Sequence, residues 1–179
     1  MRIITLFFTL TLAGHAMAET VFEDFSNEAG SRWDYVADRV MGGVSEGRAE
    51  IIGKGPDALL RLTGTVSTEN NGGFLQVRQR FSDPWPANAT GLKVRVRGNG
   101  QSYYVFLKTP DLSRVWYSYR APFVASDVWS EVTLPFDDFR PSHDGMPESF
   151  TVADVNSIAI VAYGADYSAD VTLDWIKLY

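Results

Sequence analysis

Gly91-Leu92-Lys93-Val94-Arg95-Val96-Arg97-Gly98-Asn99-Gly100 decides the fold class. Leu92, Val94 and Val96 alternate with Lys93, Arg95 and Arg97, so an extended chain here has one apolar and one cationic face. Gly98-Asn99-Gly100 then ends the run with turn chemistry. The same period of two recurs outward along the chain. Between Phe74 and Phe81, Leu75, Val77 and Phe81 are set against Gln76, Arg78 and Arg80. Residues 58–64, 103–108, 115–119, 129–136, 157–163 and 171–179 are apolar, aromatic or β-branched runs of strand length. Gly53-Lys54-Gly55-Pro56, Ser82-Asp83-Pro84, Thr109-Pro110-Asp111 and Asp144-Gly145 punctuate them. No stretch sustains a helical period. About eight strands at this spacing predict an all-β protein, an antiparallel β-sandwich of the jelly-roll kind.

The amino terminus reads differently. Met1-Arg2 precedes an apolar run from Ile3 to Ala13, and Ala16-Met17-Ala18 is a small-x-small cleavage pattern. This predicts a signal peptide over residues 1–18, cut near Ala18, and a single domain over residues 19–179 in a periplasmic or secreted protein. The run is too short to span a bilayer, and no second long apolar stretch follows, so stable membrane insertion is not expected. The chain has no cysteine, which removes disulfides, thiolate nucleophiles and thiolate metal sites. Its formal charge of −6 argues against a nucleic-acid partner. The two histidines are His15 and His143, so histidine-based zinc or triad chemistry has little material. Gly98-x-Gly100 follows a strand but opens no helix, and no phosphate-binding loop occurs, so no cofactor is expected.

Two glycine pairs carry the candidate site. Asp38-Arg39-Val40-Met41-Gly42-Gly43-Val44-Ser45 is one, and Glu69-Asn70-Asn71-Gly72-Gly73-Phe74, running on to Arg78, is the other. Paired glycines serve positive φ or close backbone approach, and neighbouring Asp, Asn and Ser tie loops down through backbone hydrogen bonds. Asp38, Met41, Gly42, Gly43, Ser45, Asn70, Asn71, Gly72 and Gly73 either shape a ligand-facing surface or cap backbone donors. Arg78 either pairs with Asp38 across the loops or offers its guanidinium to a carboxylate or phosphate. If the strands at 74–81 and 91–97 are neighbours, Arg78, Arg80, Lys93, Arg95 and Arg97 gather on one face. Acidic neighbours or an anionic partner must then offset them.

The aromatics allow a second use. Trp33, Trp85, Trp116, Tyr117 and Tyr119 would stack sugars if exposed and fill the core if buried. Trp85 lies between two prolines and is the one expected outside, while Trp129 is expected in the core. Glu23, Asp24 and Asp174, on terminal strands often adjacent in sandwiches, are the thin material for a calcium ion.

These motifs together resemble a known family, that of complex I intermediate-associated protein 30. Residues 38–45 are similar to its D-G-V-M-G-G-V-S element, with Arg39 in place of Gly. Residues 70–78 resemble its N-N-G-G-F-x-x-V-R element. Residues 97–100 stand where it has R-G-D-G, with Asn99 in place of Asp. Trp129 to Phe139 resembles its W-x-x-V-x-L-P-F-x-x-F. The resemblance implies a galactose-binding-domain-like sandwich that binds and does not catalyse, as assembly factors of the NADH:ubiquinone oxidoreductase do. The expected role is a binding or assembly-accessory protein of the cell envelope with a protein partner. The alternative is a carbohydrate-binding module of the periplasm, and the further partners allowed are a glycan or an anionic ligand.

Overall fold

The structure, a computed structural model, describes residues 18–179. The signal peptide expected over residues 1–18 therefore lies outside the described residues, except for Ala18. The strands in chain order are β1 (Thr20–Glu23), β2 (Trp33–Ala37), β3 (Glu46–Ile52), β4 (Leu59–Val66), β5 (Phe74–Arg80), β6 (Gly91–Gly98), β7 (Ser102–Lys108), β8 (Tyr119–Val124), β9 (Ser130–Pro135), β10 (Arg140–Pro141), β11 (Ser157–Tyr163) and β12 (Tyr167–Leu178). One helical turn, α1 (Ala29–Arg32), leads into β2. The first sheet has the order β3-β4-β12-β6-β9, with β1 also on β12, and the second has the order β10-β8-β7-β11-β5-β2. All pairs are antiparallel. Among the described residues no helix is long and apolar enough to cross a membrane.

The period of two determines what lies between the sheets. Leu62, Val94, Val96 and Leu173 project inward from the first sheet, and Leu75, Val77, Val105 and Ile160 from the second, all fully buried in one cluster. Burial of such surface at about 25 cal/mol per Å² is the main force holding the sheets together. The polar residues of the same strands are left on two outer faces.

The strands missed by sequence have physical reasons. β3 is an edge strand, and its Glu46, Arg48 and Glu50 mask the alternation, as charges on edges commonly do. The strand expected over residues 115–119 begins only at Tyr119 and runs to Val124. Pro122 lies within it because its outer neighbour, β10, is only two residues long, so no ladder partner is missing there. Residues 115–118 form part of a long loop instead, where Tyr117 stacks on His143 at 5.0 Å.

Two aromatic expectations change. Trp85 is 3% exposed, not outside, and stacks between Phe81 and Phe136 at 5.4 and 5.9 Å. Phe22 meets the same indole edge-on at 5.3 Å. Trp129 is not core: it is half-buried on the outer face, beneath the guanidinium groups of Arg95 and Arg97 at 5.1 and 5.0 Å. Trp116 is exposed, beside Arg114. Replacing Trp85 with Ala is expected to lower the unfolding free energy by about 3–5 kcal/mol. Replacing Trp116 should cost less than about 0.5 kcal/mol. Urea titrations of the two variants check this, and equal effects would contradict the packing described.

Candidate functional site

The glycine pairs meet, and a single carboxylate joins them. The loop after β2 and the loop after β4 both carry the chain from one sheet to the other. Asp38, fully buried, accepts hydrogen bonds from the Ser45 N–H at 3.0 Å, the Ser45 hydroxyl at 2.5 Å, the Gly73 N–H at 2.6 Å and the Phe74 N–H at 3.2 Å. Each glycine pair supplies one residue for space and one for conformation. A Cβ on Gly43 or Gly72 would overlap the Asp38 side chain, while Gly42 and Gly73 have φ of 91° and 120°. Asn70 and Asn71 adopt left-handed φ of 56° and 57°, which asparagine tolerates. Of the predicted residues in these loops, Met41, Asn70 and Asn71 are exposed; Asp38, Ser45 and Gly73 are buried.

Burial pushes the Asp38 carboxyl up, but the bonds from Gly73, Ser45 and Phe74 hold it below the ordinary 3.8. Its stabilisation is therefore complete above that value and is lost as pH falls through the lowered native one.

Arg78 does not pair with Asp38. It stands opposite Asp34 in the register of β2 with β5, and its side chain points to the outer face of the second sheet. The five cations expected on one face are also divided, because β5 and β6 belong to different sheets. Lys93, Arg95 and Arg97 are on the first sheet. There Lys93 and Lys177 pair with Glu19, Arg95 pairs with Asp174, and Arg61 pairs with Asp170 at 2.8 Å. The calcium expectation fails on contacts. β1 does lie beside β12, but Glu23 takes Arg32 and the Trp33 indole N–H, Asp24 takes Ser26, and Asp174 takes Arg95. No acidic cluster able to hold a metal occurs among the described residues.

Arg78 and Arg80 instead join a different set. β11 lies between β5 and β7, so Arg80, Ser157 and Lys108 form one row across three strands. Arg78, Ala159, Phe106 and, on β8, Arg120 form the next. Small residues on β11 with long ones on either side make a trough. The loop from Thr109 to Val115 walls one end, held by a hydrogen bond from the Lys108 ammonium to the Val115 carbonyl. The resulting cleft of about 450 Å³ contains Gln76, Arg78, Arg80, Lys108 and Arg114, and no carboxylate lines it. Beside it Phe106 packs on Tyr104 and Tyr163 at 5.9 and 5.6 Å, and the Arg120 guanidinium covers Phe106 and Tyr163 at 4.4 and 4.8 Å. Burial, then Arg78, Arg80 and Arg120, push the Lys108 ammonium down to about 8. A broader depression of about 860 Å³ on the first sheet contains Arg61 and Asp170, which already satisfy each other.

Sequence reasoning missed Lys108, Arg114 and Arg120 as partners of Arg78. Residues 103–108 were legible as a strand, but nothing local indicated that β11 brings the face of Tyr104, Phe106 and Lys108 beside β5.

Among comparisons with known proteins, a family model described as Complex I intermediate-associated protein 30 matches residues 22–173. No curated protein matches the chain. Among solved structures, the family 11 carbohydrate-binding module from Clostridium thermocellum, in complex with a beta-1,3-1,4-mixed-linked tetrasaccharide, superposes with a TM-score of 0.74 at 17% identity, over 91% of this chain and 96% of that one. A second structure of a Clostridium thermocellum family 11 module, from a cellulosomal cellulase, gives 0.74 at 16% identity, over 91% and 95%. An agarase gives 0.57 at 9% identity, over 90% of this chain and 24% of that larger one. At these identities the likeness is one of fold.

Two predictions test this geometry. Asp38→Ala is expected to cost about 3–5 kcal/mol at pH 7 by leaving buried donors unmatched. The gap from the parent should narrow below pH 3.8; a gap unchanged in acid, measured by urea unfolding, would exclude the carboxylate as its source. After reductive methylation with ¹³C, the Lys108 resonance should titrate near pH 8, and its midpoint should rise in Arg80→Gln. A midpoint indifferent to Arg80 would break the proposed cluster.

Proposed function

The chain belongs to the complex I intermediate-associated protein 30 family, and from that premise we propose that it is a non-catalytic binding protein of the cell envelope. Its recognition surface is the outer face of the second sheet, and its ligand is a carbohydrate chain laid along the trough over β11. The observation that carries this reading is the composition of the trough. Tyr104 and Tyr163, partly exposed and packed edge to face, stand at its margin beside Gln76, Arg78, Arg80 and Lys108, over a floor of Ser157 and Ala159, with Arg120 across the Tyr163 ring. Flat apolar rings next to multiple hydrogen-bond donors suit a ligand that presents both C–H faces and oxygens. Glycoside hydrolysis needs two carboxylates flanking the scissile bond. A cleft lined by cations grips a sugar without cutting it. Fold alone does not carry function, so the reading stands on these side chains and not on the family 11 modules.

A protein partner is the second reading, and one surface favours it. Val40, Met41 and Val44 stand exposed on the loop that Asp38 anchors. An assembly-accessory role would use that apolar tip.

Calorimetry against soluble polysaccharides separates the two. Tyr163→Ala and Tyr104→Ala are each expected to weaken binding on the order of tenfold, about 1.4 kcal/mol. Val40→Ser with Met41→Ser should leave it unchanged. Absence of saturable binding to every polysaccharide would sink the carbohydrate reading in favour of the loop.

A further inference from the structure

The two outer faces of this sandwich treat charge differently, and that difference indicates what the trough takes. On the first sheet, Arg61, Lys93, Arg95 and Lys177 each have a carboxylate partner, and Arg97 lies over the Trp129 ring instead. On the second, none of Arg78, Arg80, Lys108, Arg114 and Arg120 is in an ion pair among the described residues. Asp34 acts on Arg78 from the neighbouring strand, but does not reach it as a salt bridge. Like charges placed this closely destabilise a sheet, and this chain carries a net −6, with ample carboxylates elsewhere.

Two buried polar atoms at the trough also lack partners: the Arg78 Nε and the Thr109 hydroxyl. A buried donor without an acceptor is costly, and more so when charged. Arg80 and Lys108 are two strand spacings apart, about 10 Å, and Arg78 is two residues along β5, about 7 Å from Arg80. The three enclose a space with Ser157 and Ala159 beneath it. An oxyanion entering there would gain several charge-assisted hydrogen bonds. It would also offset the burial and the neighbouring Arg78, Arg80 and Arg120 charges that depress Lys108.

We propose that the ligand of this trough is an acidic polysaccharide, whose carboxylate or sulfate groups seat between Arg78, Arg80 and Lys108 while its rings lie against Tyr104 and Tyr163. This deepens the carbohydrate reading above and rests on it. The chain's net charge of −6 favours a sugar chain over a nucleic acid.

The test is calorimetry of the purified protein against polygalacturonate, its fully methyl-esterified form, dextran sulfate, neutral mixed-linked β-glucan and a single-stranded DNA oligonucleotide. An acidic glycan should bind at least about tenfold more tightly than its neutral counterparts and weaken steeply as salt rises. Polygalacturonate against dextran sulfate identifies the acid group. Arg80→Gln and Lys108→Gln should each cost about tenfold, whereas Arg95→Gln and Arg97→Gln, on the opposite sheet, should leave affinity unchanged. Lys108→Gln also removes the hydrogen bond to the Val115 carbonyl that holds the loop, so Arg80→Gln is the folding control: Arg80 is exposed and in no ion pair among the described residues, its variant's thermal midpoint should match the parent's, and lost binding in it is not lost folding. Methyl-esterified polymer or β-glucan binding as tightly as the acidic glycans overturns this inference and leaves the carbohydrate reading standing. Failure of all four polysaccharides overturns both. DNA binding equal to the best glycan also overturns both, reducing the trough to a nonspecific basic surface.

Discussion

The buried Asp38 carboxylate is the constraint on which the arrangement of the sheets depends. The chain crosses from the second sheet to the first between β2 and β3, and returns between β4 and β5. Backbone N–H groups at such crossings have left their ladders and need acceptors. One carboxylate satisfies donors from both crossings, Ser45 on one side and Gly73 with Phe74 on the other. Gly43 and Gly72 are glycines because the carboxylate occupies the space a Cβ would take. The latch therefore fixes where β5 begins, and through a strict period of two it fixes that Arg78 and Arg80 face outward.

From there the outward side chains become a site because of their neighbours. β11 separates β5 from β7 and contributes Ser157 and Ala159, which are too small to fill the gap between the flanking rows. A larger residue at either position would close the trough. The same chain pairs its cations with carboxylates on the first sheet, where a bulge in β12 between Leu173 and Trp175 accompanies the Arg95–Asp174 pair. The asymmetry is thus between two faces built by identical alternation, and only the identity of the cross-strand partners differs.

Much of the fold was legible. The runs at 74–81, 91–97, 103–108 and 157–163 appear as strands within a residue or two, because alternation is local and visible in one chain segment. Where a strand was missed, as at β3, edge charges hid the pattern, and where one was displaced, as at β8, the strand runs on through a proline beside a two-residue edge neighbour. The glycine pairs were legible as a joined feature, and the anchor Asp38 was named among them. The trough was half legible: Arg78 and Arg80 were seen as a polar face, but were matched with Lys93, Arg95 and Arg97. Trp85 and Trp129 exchanged places because indole burial depends on what covers it, not on the residues beside it in the chain.

The amino-acid sequence by itself determined the all-β class, the two faces of the strands at 74–81 and 91–97, and a pair of glycine loops carrying Asp38, Ser45 and two asparagines. These follow from interactions between residues close in sequence and from the geometry of an extended chain. Only the tertiary structure decided that β11 lies between β5 and β7, that Lys108 and Arg120 face Arg78, and that these cations have no ion-pair partner among the described residues while those of the other sheet, Arg97 excepted, do. Strand order is set by burying the apolar faces of all strands at once, and that is a property of the whole chain, which no single segment carries.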